Sequence, residues 1–345
     1  MIRFESDYTE GAVPEIINRL VATNMEQTCG YSTDEYSEVA RKKIREACDA
    51  PDADVHFLVG GTQTNLTVIA AALRPHQGVI SSSCGHISVH ESGAIEATGH
   101  KVLELDFPNG KVEAATAEQY CRQHFSDANH EHCVQPGMIY ISQPTESGTL
   151  YYLEELRALR KVCDDFGLML YVDGARLGYA LAAEHNNIQL KELYELVDAF
   201  YIGGTKVGAL FGEALVIRNE QLKKDFKYII KQRGGLMAKG RLLGLQFDTL
   251  FSDNLYYRIS RHAVKQAMRI KEAFQGIGCG FLQESHTNQQ FPILEDRQIE
   301  RLQESFTCSL WEKVDKDHSA VRFCTSWATR EEDVDRLVRA IKDLA

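Results

Sequence analysis

The sequence predicts an α/β fold: a large domain with a mostly parallel sheet between helices, then a smaller α+β unit. Three observations carry this reading. Short apolar, β-rich runs alternate with longer helical patterns through the first 219 residues, several of those runs are apolar on both faces, and the texture changes after about residue 219. A strand buried on both faces reads as a continuous apolar run, as parallel strands do. Regular alternation of strand and helix then implies a sheet covered on both sides.

Taken in order, strands are expected at 55–59, 78–81, 101–105, 138–142, 168–172, 199–202 and 214–217, with helices at 64–73, 116–124 and 153–166 among them. Residues 220–232 and 236–276 read as helices, the second broken or bent near 252–254. The tail offers weak strands near Phe281 and over 321–325, and helices over 296–314 and 330–344. The expected division is 1–235 for the large domain and 236–345 for the smaller one. Seven prolines and no Pro-rich linker suit long helices with short connections.

Composition narrows the function classes. With 345 residues, 44% hydrophobic and 25% charged, the chain is globular and large enough to bury a ligand. Lys plus Arg is 38 against 49 Asp plus Glu, a net charge of −11 without a long basic run, which argues against nucleic acid and anionic membrane as partners. Nine scattered cysteines, an odd count without C-x-x-C, are neither a disulfide framework nor a zinc-finger spacing. The opening residues lack a signal-type apolar core, and no stretch approaches about 18 apolar residues. A soluble cytoplasmic protein with reduced thiols is expected.

Four segments and two arginines can carry chemistry. Gly60-Gly61-Thr62-Gln63-Thr64-Asn65 follows a strand and opens a helix, where free N–H groups can hold a phosphate; an N-capped turn is the plain alternative. Asp173, in Tyr171-Val172-Asp173-Gly174-Ala175-Arg176, ends an apolar strand, where α/β folds place ligands. It can pair with a protonated heterocycle, or with Arg176. Lys206, in Gly203-Gly204-Thr205-Lys206-Val207-Gly208, projects from a strand end among very small residues. Partial desolvation there favours a Schiff-base lysine over a snorkelling one. His86, in Gly85-His86-Ile87-Ser88-Val89-His90-Glu91, can stack on a planar ring or relay a proton. His86 and His90 have i, i+4 spacing, but without H-E-x-x-H or a third ligand no metal is expected. Arg176 and Arg322 can each grip a carboxylate with a planar fork.

A phosphate cradle, a ring stacker, a strand-end Asp and a strand-end Lys occur in that order. The set fits pyridoxal 5'-phosphate: the helix start for its phosphate, His86 over its ring, Asp173 at its pyridine nitrogen and Lys206 on its aldehyde.

The chain resembles the threonine aldolase/β-eliminating lyase family of fold-type-I pyridoxal-phosphate enzymes. The resemblance runs from Ser6-Asp7, with Gly11 and Pro14, through GGTQTN, GHISVHESGA, YVDGARLG and GGTKVG, to Val321-Arg322-Phe323. It implies Lys206 as the Schiff-base lysine, Asp173 as the pyridinium partner and His86 as the ring stacker. Gly61 and Thr62, joined by Thr205, match phosphate positions; Ser6, Arg176 and Arg322 match contacts to the amino-acid carboxylate. His132 or His130 matches the histidine near the substrate hydroxyl, and His132, His130, His86 or a bound water can take the hydroxyl proton. The family is usually a tetramer of tight dimers with sites at the subunit interface, so a homodimer or homotetramer is implied.

Departures are visible. Thr205 stands where Ser is usual, and Gln143-Pro144-Thr145 where Glu-Asn-Thr is usual. The usual Gly-Gly-Gly-Met-Arg-Gln stretch reads Gly234-Gly235-Leu236-Met237-Ala238-Lys239. The arginine that contacts the neighbouring subunit's phosphate is therefore absent, or replaced by Lys239 or Arg233. The segment Asp-Asp-x-Tyr-Gly-x-Asp-Pro is reduced to 32–37.

The implied activity is an aldehyde-lyase that cleaves threonine, allo-threonine or an aryl-serine to glycine and an aldehyde. The alternative is a β-eliminating lyase or aminotransferase on a small amino acid. A non-enzymatic sensor or scaffold on this fold would be expected to lack the lysine or the Asp, and both are present. No G-x-G-x-x-G opens the first βα unit, which disfavours a dinucleotide dehydrogenase.

Overall fold

Seven strands form the central sheet of the computed structural model, which describes residues 1–107 and 109–344. Pro108 and Ala345, the last residue of the expected smaller domain, lie outside the described residues. After a two-residue strand β1 (Ile2–Arg3) come β2 (Asp54–Leu58), β3 (Gln77–Ser82), β4 (Val102–Leu105), β5 (Gln135–Ser142), β6 (Met169–Asp173), β7 (Ala199–Gly203) and β8 (Glu213–Ile217). Their order is β2-β8-β7-β6-β5-β3-β4. The run from β7 to β4 is parallel, and β8 is antiparallel to both neighbours. Both faces are covered, which is why β5 and β7 are buried along almost their whole length.

The smaller unit holds β9 (Gly280–Phe281), β10 (Gln289–Gln290), β11 (Pro292–Glu295), β12 (Phe306–Thr307), β13 (Ser309–Lys313) and β14 (His318–Cys324). β14 pairs antiparallel with β10, β11 and β13. Helices Leu255–Gly276 and Glu331–Lys342 pack against it around Phe274, Phe323 and Leu337. The first half of helix Leu255–Gly276 gives Leu255, Tyr256, Ala263 and Val264 to the large core, and the second gives Ile270 and Phe274 to the small one. The division expected at 235/236 thus falls ahead of a helix that both cores share.

All seven expected central strands are present, with ends shifted by up to three residues. The break expected near 252–254 is real: Asp253 and Asn254 have φ of 50° and 55°, between helices Arg241–Leu250 and Leu255–Gly276. Residues 220–232 form two short helices parted at Asp225, whose φ is 61°. The helix expected over 296–314 is corrected. It stops at Gln303, and 309–313 is an edge strand with alternating exposure, set by pairing with β14. Helices Pro14–Ala22 and Glu35–Ala47 were not anticipated.

Two glycines bring the functional strand ends together. Gly203 N–H donates to the Gly174 carbonyl at 3.0 Å. A Cβ on Gly174 would lie 1.9 Å from the Tyr201 carbonyl oxygen, and one on Gly203 2.2 Å from the Ala175 carbonyl oxygen. Backbone contact this close sets the turn bearing Lys206 against the end of β6. Gly174→Ala is therefore expected to lower unfolding free energy by about 1–3 kcal/mol or more; an unchanged Tm in calorimetry would show that the crossing is loose.

Candidate active site

β6 ends at Asp173, which is 4% exposed. Its Oδ1 accepts from Tyr201 Oη at 2.5 Å and Ala175 N–H at 3.0 Å; its Oδ2 accepts from Tyr140 Oη at 2.7 Å and Asn65 Nδ2 at 2.9 Å. None of the four donors is a cation. Burial alone would raise this pKa, but the charge of His86 and the bonds from Tyr201, Asn65 and Ala175 outweigh it and hold the group below its ordinary value. The carboxylate is therefore ionised in the interior.

The donors come from three elements. Asn65 lies one turn into helix Gly61–Ala72, fully buried, and its Oδ1 accepts from Tyr171 Oη at 2.9 Å. Asn65 also donates to Glu91 Oε1 at 2.7 Å, the same oxygen that meets His86 Nδ1 at 2.7 Å. Burial disfavours protonated His86, but the bond to Glu91 and the fields of Asp173 and Glu91 raise its pKa. His86, Glu91 and Asp173 place three possible ligand atoms within 4.8 Å of one another. The Asn65 and His86 bonds already account for that grouping.

Lys206 follows β7 and is half-buried. Its backbone carbonyl accepts from Tyr179 Oη at 2.5 Å, while Nζ lies 5.9 Å from the Tyr8 ring centroid and has no hydrogen-bond partner among the described residues. Burial and the neighbouring Arg176 lower its pKa against the opposing pull of Asp7, Asp173 and Glu213. Lys206 shares a cleft of about 790 Å³ with His86, His90, Glu146, Arg176 and Arg322, walled on one side by Phe107, Leu310 and Trp311.

Not every expected residue reaches this cleft in the expected way. Arg176 lines it, but its Nε and Nη2 edge is held by Asp7 at 2.7 and 3.0 Å, leaving Nη1 for a ligand. Arg322 donates to the Glu5 carbonyl at 3.0 Å, its guanidinium carbon lies 5.2 Å from the Trp311 ring centroid, and its buried Nε has no partner. Ser6 borders a separate pocket of about 340 Å³ beside 326–333; its buried Oγ is also unpartnered. The Thr205 hydroxyl is committed within its own turn, donating to Glu213 at 2.9 Å and accepting from Gly212 N–H at 2.9 Å. It thereby pins the Lys206 turn. Burial raises the Glu213 pKa to about 8.

His132, expected near the substrate hydroxyl, stands away from this cleft within its own chain. It lies with His130 in an exposed turn ahead of β5, at the opposite edge of the sheet. The eight-residue strand that follows spans roughly 25 Å at about 3.3 Å per residue. Neither histidine reaches the cleft of its own chain. Tyr140, Tyr201, Asn65, Asp7 and Glu146 were missed as site residues, although β5, β6 and β7 each carry a tyrosine two residues before the strand end.

These residues fit pyridoxal phosphate. An ionised, buried carboxylate without a cationic hydrogen-bond donor suits a protonated ring nitrogen. An ammonium-bearing side chain with a lowered pKa projects into the same cleft. Helix Gly61–Ala72 leaves the N–H groups of Gly61, Thr62 and Gln63 without intrahelical acceptors, one turn from the Asp173 donor Asn65. Gln63 Nε2 in turn donates to the Arg233 carbonyl, and Arg233 Nε is buried without a partner beside this helix start.

Comparison with known proteins agrees with this geometry. A sequence model of the beta-eliminating lyase family matches residues 3–297. A low specificity L-threonine aldolase of Pseudomonas aeruginosa is 29% identical over 99% of this chain and 97% of its own. A Leishmania major threonine aldolase structure superposes with a TM-score of 0.97 at 44% identity, over 100% of this chain and 99% of that one. Thermus thermophilus aspartate aminotransferase, at 15% identity and TM-score 0.69 over 100% and 92%, shares the fold.

The Asp7–Arg176 pair is almost fully buried. Removing one partner strands the other charge, so Arg176→Ala is expected to cost about 3–5 kcal/mol in urea unfolding. A loss below about 1 kcal/mol, the range of exposed pairs, would contradict that placement.

Proposed function

The chain belongs to the beta-eliminating lyase family, and we propose that it is a pyridoxal-phosphate-dependent aldehyde-lyase of fold type I, cleaving a β-hydroxy-α-amino acid such as threonine to glycine and an aldehyde. One observation carries this reading: Asp173 and Lys206 stand at the ends of adjacent parallel strands, and the Lys206 cleft also holds two guanidinium groups. That is a site for a cationic ring and an anionic amino acid together.

When bound, pyridoxal phosphate supplies a conjugated ring that draws off the electron pair of a breaking bond at Cα. Lys206 Nζ would hold its aldehyde carbon, Asp173 would keep its ring nitrogen protonated, and His86 would cover the ring. Gly61 and Thr62 would hold the phosphate by their N–H groups. Arg322 and the free Nη1 of Arg176 would fix the substrate carboxylate, so that Cα–Cβ is the bond presented to the ring. The apolar wall of Phe107, Leu310 and Trp311 leaves room for a bulky aldehyde side chain.

The reading includes two coarser expectations. A homodimer or homotetramer with sites at the interface is supported by the exposed apolar side chains Val21, Met25, Tyr31 and Tyr228; Lys231, on the helix of Tyr228, has its Nζ 4.9 Å from the Tyr31 ring centroid. A cytoplasmic location is supported by nine free cysteines; no described helix is long and apolar enough to cross a membrane.

The direct test adds threonine, allo-threonine and phenylserine to purified protein and measures glycine and aldehyde. Pyruvate or ammonia in place of glycine would overturn aldol cleavage. Lys206→Ala is expected to abolish the borohydride-reducible yellow absorbance and turnover while staying folded; a variant with full cleavage would remove Lys206 from its role. Asp173→Ala is expected to lower kcat for every substrate rather than only raise KM, and an equal kcat would remove the ring-nitrogen assignment.

A further inference from the structure

Breaking Cα–Cβ beside a hydroxyl requires a group that takes the hydroxyl proton; of the expected candidates, His132, His130, His86 or a bound water, the first two lie at the far edge of the sheet. Four histidine or carboxylate side chains line the cleft: His86, His90, Glu146 and Glu312, the last exposed on β13 and held by no hydrogen bond among the described residues. His86 has Nδ1 engaged by Glu91 and a raised pKa, so it tends to hold its proton. His90 is exposed, and among the described residues no hydrogen bond orients it. A base must be held in place before it is useful.

Glu146 is held. It sits in the turn after β5, closed by Gly148 N–H to the Thr145 carbonyl at 2.9 Å and Thr145 N–H to the Thr149 carbonyl at 3.0 Å. Its Oε1 accepts from Ser142 Oγ at 2.7 Å and from the backbone N–H of His86 at 3.1 Å. Both bonds fall on the same oxygen. Oε2 has no partner among the described residues and is not sealed from the cleft. One oxygen is thus anchored to β5 and to the start of the His86 helix, and the other is left for a ligand.

We propose that Glu146 is the acid–base residue for the substrate's β-hydroxyl, an inference that rests on the aldehyde-lyase reading above. The hydroxyl proton passes to Oε2 as the C–O bond becomes C=O and Cα–Cβ breaks, the bonding pair staying with Cα. One proton delivered to Cα completes glycine, so substrate and products balance without net proton gain. In the synthetic direction the Glu146 carboxyl donates to the aldehyde oxygen.

The surroundings favour this use. Burial raises the Glu146 pKa, and the negative field of Asp173 adds to it, against the Ser142 bond and the positive field of His86. Tyr140 of β5 and Tyr151 after the turn face it as neutral phenols, their own pKa values raised by burial. Across the cleft stand Lys206, Arg176 and Arg322. A carboxyl whose pKa is raised in this way accepts a proton more readily and can still return it. Since the ionised form is the base, cleavage should rise with pH through the Glu146 pKa.

The test compares holoenzyme of wild type, Glu146→Gln, Glu146→Asp and His90→Asn. Glu146→Gln keeps an oxygen for Ser142 and the His86 N–H. It is expected to lose about 10²–10⁴-fold in kcat for threonine or phenylserine, a usual range for an acid–base group. It should keep the cofactor absorbance and the exchange of glycine's α-hydrogen for deuterium, which needs no hydroxyl base. Its kcat/KM profile should lose the acid limb, and Glu146→Asp should recover part of the rate with the limb restored. On cofactor-free protein, pH-difference infrared spectra should show a carboxyl titrating above the ordinary glutamate range that is lost in Glu146→Gln, beside the component of Glu213.

Cleavage by Glu146→Gln at the wild-type rate overturns the assignment. So does equal loss of glycine exchange, which would mark a structural role, or loss of the acid limb in His90→Asn alone. Wild-type protein that binds the cofactor yet cleaves no β-hydroxy amino acid overturns the parent reading and the proposal with it.

Discussion

The carboxylate of Asp173 bears a full charge inside the sheet's C-terminal edge, and much of the site is arranged around that fact. Desolvating a carboxylate costs several kcal/mol even after relaxation. Four hydrogen bonds to a charged acceptor, roughly 1.5–3 kcal/mol each, are of the size needed to offset it. They come from β5, β7, Ala175 in the turn directly after β6 and the helix that follows β2, so each of these elements is registered against one carboxylate. Because no donor is a cation, the negative field remains available to a bound positive ring. His86 is drawn in through Glu91 and Asn65, and its pKa is raised by the bond to Glu91 and the fields of Asp173 and Glu91.

A second buried charge joins the parts of the molecule. Asp7, in the N-terminal segment, accepts from Arg176 of the large sheet region and from Asn288 Nδ2 of the smaller unit at 2.9 Å. Burial opposes its ionisation, but Arg176 and Lys206 outweigh that and hold its pKa down. The same N-terminal segment is stitched to the smaller unit by Phe4, whose carbonyl accepts from Cys324 N–H at 2.7 Å, and by Glu5, whose carbonyl accepts from Arg322. The cleft is therefore built by three stretches of chain distant in sequence. Arg176 can serve a ligand only with the Nη1 that Asp7 leaves over.

Periodicity and turn chemistry made the seven central strands legible, because strands buried on both faces leave uninterrupted apolar runs that end at glycine-rich turns. The helix break at 253–254 was legible for a similar local reason, since Asp and Asn tolerate positive φ. The edge strand at 309–313 was not. Its residues alternate in exposure without being strongly apolar, and pairing with β14 decides its conformation. The helix at 35–47 escaped because its apolar stripe is carried on a mostly polar segment.

What the amino-acid order determined by itself was chemistry that depends on residue type at a strand end: an Asp, a Lys, a glycine turn before a helix, and two arginines. Tertiary structure decided which of these groups is spent and which is free. It gave one edge of Arg176 to Asp7, kept Thr205 inside its own turn, set Ser6 against a different pocket and carried His132 to the other edge of the sheet. It also brought Glu146 into the cleft beside His86. Hydrogen-bond capacity is shared out among neighbours distant in the chain, and a linear pattern records the donors and acceptors but not their pairing.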